Sequence, residues 1–298
     1  MTMTGSTVHG HKTAMRWWMQ CACAAVALYA LVFLLAGCGP NLLIFQPPRS
    51  SYAEGANIIK VATADGNVLA AVHYPCSNAT YTLLYSHGNG EDIGWLDTLF
   101  KWYNELGFSV FAYDYRGYGL STGTPDEEEC YADADAVFAY VTNVCRVPPE
   151  RIIVHGRSLG GAMAVHLAAT QPVAGLIMES TFLTAFRVVT RVPLVPDVMD
   201  RFRSMDRIPS VRCPVLVIHG LDDWVISPWH GEKLYELAPG PKMSLWVANA
   251  GHNDVVKVAR EDYGNVMKEF AGLVAAQQAA EGTPDATSAQ ARASFPGR

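Results

Sequence analysis

The chain has 298 residues, enough for one large domain or two small ones with a sizeable core. Half of the residues are apolar or aromatic and 17% are charged, which excludes disorder as the overall state. Twenty-two basic against 28 acidic side chains leave a net charge of −6, and no Lys/Arg-rich run offers an electrostatic footprint for nucleic acid.

The first 37 residues stand apart. They hold no Asp or Glu, place Lys12 and Arg16 ahead of Trp17-Trp18-Met19, and run apolar from Ala22 to Leu35. A basic start, an apolar middle and small residues at the end describe a secretory signal. The closing Leu35-Ala36-Gly37-Cys38 resembles the lipobox of bacterial lipoproteins. That resemblance implies cleavage before Cys38, acylation of Cys38, and a lipoprotein anchored in the cell envelope and facing the periplasm. The competing reading is an uncleaved anchor, because Trp17 to Gly37 is nearly long enough to span a bilayer. Both readings tie the chain to a membrane.

Residues 38–55 read as a short tether, 56–280 as the folded domain, and 281–298, rich in Gly, Thr, Pro, Ser and Ala, as a disordered tail. Four of the seven cysteines, Cys76, Cys130, Cys145 and Cys213, fall in the domain. They show no C-x-x-C spacing, so disulfides and buried free thiols both remain open.

Within the domain, strands are predicted at Ile58–Ala64, Val68–Tyr74, Thr82–Ser86, Ser109–Tyr113, Arg151–His155, Gly175–Glu179, Val215–His219 and Ser244–Val247. Helical patterns fall at Trp95–Leu106, Glu127–Val144, Gly160–Thr170, Pro228–Leu237 and Val256–Ala276. This alternation predicts an α/β domain with a mostly parallel central sheet. Asp65-Gly66 predicts a hairpin, and hence an antiparallel N-terminal edge.

Gly156-Arg157-Ser158-Leu159-Gly160 fits G-x-S-x-G between a predicted strand and a predicted helix, the context in which a tight turn exposes a nucleophilic serine. The order Ser, acid, His then selects His252, in the loop after the last strand, as base. Asp223 is the chosen acid, with Asp222 and Glu179 as the alternatives. His230 reads as a surface residue, His87 as a pin for its loop, and Asp254 as the cap of the last helix. Two backbone N–H groups are needed for an oxyanion. Leu159 supplies one, and Asn89, in the Ser86-His87-Gly88-Asn89-Gly90 loop, is the expected second.

These stretches together resemble the α/β-hydrolase-domain proteins that act as serine depalmitoylases, and their bacterial relatives. The resemblance rests on Ser86-His87-Gly88-Asn89 with Asp92 and Gly94, on Tyr113 to Gly119 with Ser121 and Gly123, and on Tyr131-Ala132-Asp133. The elbow, His219-Gly220 through Ile226, and Gly251 to Asp254 complete it. It implies the α/β-hydrolase fold and places the acid on Asp223.

Between Glu179 and Pro214 about 34 residues form a short lid segment. Its Phe182, Phe186, Val188, Val189, Val192, Val195 and Met199 either line an acyl channel or pack on the sheet. The expectation is a membrane-tethered serine hydrolase cleaving acyl esters or thioesters, with Ser158, Asp223 and His252 catalytic and Asn89 and Leu159 holding the oxyanion. No nucleotide or metal motif is present, so no cofactor is expected. A lysophospholipase or serine aminopeptidase on the same scaffold is the alternative, and a non-catalytic binding lipoprotein a more distant one.

Overall fold

The computed structural model describes residues 7–39, 41, 44–188 and 200–282. A long N-terminal helix, α1 (Thr7–Cys38), precedes the domain. Its apolar side chains Trp17, Trp18, Val26, Leu28 and Leu31 are exposed rather than packed on the body. Side chains of α1 are described only for residues 15–31, so that of Cys38 lies outside the described residues. Among the described residues no helix is long and apolar enough to cross a membrane.

The domain is built on one eight-stranded sheet. In chain order its strands are β1 (Ile59–Ala62), β2 (Val68–Tyr74), β3 (Thr82–Ser86), β4 (Ser109–Tyr113), β5 (Ile152–Arg157), β6 (Gly175–Glu179), β7 (Val215–Gly220) and β8 (Lys242–Val247). They lie side by side as β1-β2-β4-β3-β5-β6-β7-β8. β1 with β2 and β2 with β4 pair antiparallel, and every later pair is parallel. Strands β3, β4, β6 and β7, and β5 up to its last residue, are buried because both faces of the sheet are covered.

One face is covered by α3 (Glu127–Asn143), α4 (Gly160–Thr170) and α6 (Trp229–Leu237); Val137, Val165 and Leu234 reach its core. The other is covered by α2 (Asp97–Glu105) and α8 (Arg260–Gly282) through Phe100, Tyr103, Met267 and Phe270. Two four-residue helices, α5 (Ser204–Arg207) and α7 (Val255–Val258), lie in connections. The final helix therefore differs from the predicted Val256–Ala276. It breaks at Ala259 and then runs to Gly282, covering the first two residues of the expected tail; residues 283–298 lie outside the described ones.

Within the segment read as a tether, Asn41 and residues 44–52 make contacts with the domain. Phe45 is buried in the α3/α4 core, with its ring centroid 5.8 Å from that of Phe202. Asn41 Nδ2 donates to Asp126 at 3.1 Å. Ser51 N–H donates to Asp92 at 2.7 Å, and the Tyr52 hydroxyl bonds to Asp114. Cys76, Cys130, Cys145 and Cys213 are all free thiols, and Cys130 and Cys213 are buried, where desolvation raises their pKa and makes them poor nucleophiles.

Candidate active site

Strand β5 ends in the G-x-S-x-G turn, and Ser158 stands there with φ +52°, the left-handed region that a non-glycine residue occupies only under constraint. The constraint is close packing. A Cβ on Gly156 would lie 2.2 Å from the Gly160 carbonyl oxygen, and one on Gly160 only 2.0 Å from that of Ser86. Both glycines are required by space, and together they hold the turn against the end of β3. The Ser158 N–H donates to the Glu179 carbonyl at 2.9 Å, and the Thr181 hydroxyl donates to the Ser158 carbonyl at 2.7 Å. Helix α4 starts two residues later, so its positive end faces the serine.

Three loops at the carboxyl edge of the sheet meet at this turn. Ser158 Oγ is 3.1 Å from His252 Nε2, and His252 Nδ1 is 2.7 Å from Asp223 Oδ2. The other Asp223 oxygen accepts the N–H groups of Val225 and Ile226 at 2.9 and 2.8 Å. Burial alone would raise this carboxyl, but hydrogen bonds from His219 and His252, the His252 charge and the Ile226 N–H outweigh it, and the group is held well below the usual carboxylate range. Asp222 is exposed on the same loop, and Glu179 bonds to Tyr263 at 2.7 Å instead of reaching His252. Asp254 occupies the N-cap position of α7, yet its carboxylate accepts the Gly251 N–H at 2.7 Å and shapes the histidine loop. His230 is buried, not on the surface, with Nδ1 3.3 Å from the Leu183 N–H.

Gly88 and Asn89 lie beside Ser158: a Cβ on Gly88 would stand 3.4 Å from that of Ser158. The Asn89 side chain does something the sequence did not suggest. Its Nδ2 donates to the Ile44 carbonyl at 2.5 Å, while its Oδ1 accepts from Gln46 N–H at 3.0 Å and the Tyr118 hydroxyl at 2.5 Å. This leaves the backbone as the part of Asn89 available to an oxyanion. His87 is fully buried; its Nδ1 donates to the Gly88 carbonyl at 2.8 Å and its Nε2 lies 3.3 Å from Asp114. Desolvation lowers the His87 pKa, the Asp114 carboxylate together with Glu91 and the Gly88 carbonyl outweighs it, and the net shift is upward.

Sequence reasoning missed Arg157, the residue before Ser158. Its Nη1 meets Glu91 at 2.7 Å, and its Nη2 donates to the His252 carbonyl at 3.1 Å and to Asn253 Oδ1 at 2.6 Å. Glu91 in turn accepts the Gly88 N–H at 2.6 Å. One largely buried guanidinium thus joins the loop carrying Asn89, the serine turn and the histidine loop. Its place inside G-x-S-x-G was visible; its partners, 66 and 95 residues away in the chain, were not.

The remaining motif residues are architectural. Arg116 forms a two-pronged pair with Asp133 at 2.9 and 2.6 Å, joining α3 to the β4 loop. The Ser121 hydroxyl donates to the Asp114 carbonyl and accepts the Ala70 N–H, both at 2.8 Å. In the lid segment Phe182 is buried and Phe186 and Val188 half-buried, whereas Val189, Val192, Val195 and Met199 lie outside the described residues. A cavity of about 550 Å³, lined by Glu127, Tyr131, Asp200 and Arg207 among others, includes none of Ser158, Asp223 and His252. Among the described residues no cluster of three or more His, Cys, Asp or Glu is arranged to hold a metal ion.

A mostly parallel eight-stranded sheet carrying a strained serine between β5 and α4 defines an α/β hydrolase. The family model described as serine aminopeptidase, S33 matches residues 77–205. Among solved structures, the Pyrococcus furiosus esterase Pf2001 superposes with a TM-score of 0.64 at 18% identity, covering 76% of this chain and 97% of its own. Est1E from Butyrivibrio proteoclasticus, with ferulic acid bound, gives 0.60 at 17% over 72% and 99%. The chain is 42% identical over 182 residues to the Caenorhabditis elegans α/β hydrolase domain-containing protein aho-3, matching 61% of this chain and 55% of that one. It is 37% identical over 214 residues to human α/β hydrolase domain-containing protein 17B, matching 71% and 73%. The chain belongs to the family of the α/β hydrolase domain-containing proteins 17.

Proposed function

We propose that this hydrolase is a membrane-tethered serine enzyme that cleaves acyl esters or thioesters through an acyl-enzyme. The observation that carries the reading is the continuous relay from Ser158 Oγ to His252 to Asp223, with contacts of 3.1 and 2.7 Å. Ser158 Oγ attacks the acyl carbonyl while His252 Nε2 takes its proton, and Asp223, held ionised, orients the imidazole and stabilises its charged form. The N–H groups of Leu159 and Asn89 receive the oxyanion. His252 then protonates the departing alkoxide or thiolate, and the acyl group stays on Ser158. A water molecule, deprotonated by His252, releases the acid and restores the serine.

The family model's description favours an aminopeptidase as the second reading. An aminopeptidase must balance the substrate's ammonium with a carboxylate in the site. Here Glu91 is paired with Arg157, Glu179 with Tyr263 and Arg157, and Asp223 with His252. Among the described residues these three carboxylates beside Ser158 are already paired, which favours a neutral acyl group. The tether rests on the lipobox-like Leu35-Ala36-Gly37-Cys38 and on the exposed apolar side chains of α1.

A fluorophosphonate probe tests the reading. It should label wild-type protein at Ser158, and Ser158→Ala should lose both labelling and ester hydrolysis while keeping its circular dichroism. Labelling that persists in the variant would overturn the assignment.

A further inference from the structure

The same loops that assemble the triad carry large apolar side chains pointing into water. Trp224, next to Asp223, is 96% exposed; Val225 and Leu221 on that loop are 54% and 44% exposed. Across the nucleophile strand, Trp95 in the loop after β3 is 65% exposed and Leu120 in the turn after β4 is 39% exposed. In the strand order β4-β3-β5-β6-β7 these two groups flank Ser158 on either side. Tyr52 links the near group, its ring lying against Gly94 and its hydroxyl accepting the Leu120 N–H at 3.2 Å. One nearly bare and one largely exposed indole thus share one edge of the domain, and Trp is the residue that suits a boundary between water and lipid.

The leader says what covers this edge. Only seven peptide steps separate Cys38, the last residue of α1, from Phe45, which is buried in the domain. Seven steps span at most about 25 Å. A domain of this size is roughly 45 Å across. Gln46, the next residue, is hydrogen-bonded to Asn89, so the chain enters the domain at the catalytic edge. A membrane holding the leader therefore cannot face the opposite end of the sheet. The net charge of −6 and exposed Asp222 on the rim argue against attraction to anionic headgroups, which leaves apolar insertion as the adhesive force.

We propose that the carboxyl edge of the sheet is a bilayer-docking face: Trp95, Leu120, Leu221, Trp224 and Val225 enter the interfacial layer of the membrane that holds the leader, and Ser158 draws its acyl substrate from the lipid phase. The proposal rests on the tethered reading and adds the orientation of the enzyme and the source of its substrate.

The full-length protein is floated with phosphatidylcholine vesicles whose acyl chains carry bromine, and tryptophan quenching is recorded. Hydrolysis of a long-chain ester embedded in plain vesicles is compared with that of a water-soluble butyrate ester. Wild type should float, and Trp224→Phe should float while losing a measurable part of the quenching. The double variant Trp95→Gln, Trp224→Gln should float through its leader, keep the soluble-ester rate within about twofold, and lose about tenfold or more on the embedded ester, equivalent to about 1.4 kcal/mol. A wild type that floats but whose quenching is unchanged in Trp224→Phe overturns the docking face alone, as do equal losses on the two substrates. A wild type that stays with the unbound protein overturns the tether and the docking together.

Discussion

Asp222 and Asp223 are neighbours with opposite surroundings. Asp223 is buried, receives two backbone N–H groups on one oxygen and faces His252 on the other, whereas Asp222 is exposed to solvent. Asp223→Asn would present an amide where the imidazole needs an acceptor, and kcat should fall by about 10⁴, as in other triads; Asp222→Asn should change it less than threefold, about 0.6 kcal/mol. A larger loss at Asp222, measured on one ester substrate, would remove Asp223 from the relay. Arg157 offers a finer test, because it touches no reacting atom and acts through Glu91, which accepts the Gly88 N–H, and through the His252 carbonyl. Arg157→Met should lower kcat by about 10- to 100-fold, the range of a misplaced catalytic group, with KM little changed. Arg157→Lys, which keeps the charge but not the fork, should recover only part of the loss. An equal rise in KM with kcat preserved would assign Arg157 to substrate binding instead.

At the scale of elements, the strap at residues 44–52 follows α1 and runs along the carboxyl edge of the sheet beside Asn89. Phe45 is its apolar anchor, and Phe45→Ala should destabilise the domain by about 3 kcal/mol, as for other buried aromatics, read as a shift of the urea midpoint at unchanged slope. An unshifted midpoint would mean that the strap is not part of the cooperative unit. Most of the sheet was legible: Val68–Tyr74, Thr82–Ser86, Ser109–Tyr113 and Gly175–Glu179 fall on their predicted bounds, because each is a short run rich in apolar residues closed by turn residues. The elbow was legible for the same reason, since strand, glycines and helix are contiguous. The strap was not: Ile44-Phe45-Gln46-Pro47-Pro48 has no period, and its order comes from Asn89, Tyr118 and Phe202, all distant in the chain. His230 was misjudged for a related reason, because a histidine at a helix start gives no local sign of the Leu183 amide it faces.

Across the whole molecule, the buried titratable groups set opposing slopes of stability with pH. The folded-state pKa values of Asp223 and Glu179 lie below their unfolded values; in each case burial opposes the shift, and bonded or charged neighbours, the His252 and His155 rings and the Arg157 guanidinium, outweigh it. The unfolded chain therefore binds more protons in acid, so their stabilisation is present above about pH 5 and is lost as pH falls through 4 and below. His87 runs the other way. Its folded pKa is raised, so its contribution with Asp114 is full below about pH 6.5 and fades as pH rises through the folded value. Stability should thus peak between about pH 5 and 7 and decline on both sides. Urea midpoints measured from pH 3 to 9 on the full chain should trace that peak. His87→Gln, which keeps a donor toward the Gly88 carbonyl but cannot charge, should flatten the alkaline limb and leave the acid limb in place. An alkaline decline that survives in His87→Gln would assign it to another group, and an acid limb that vanishes with it would uncouple the carboxylates from the fold.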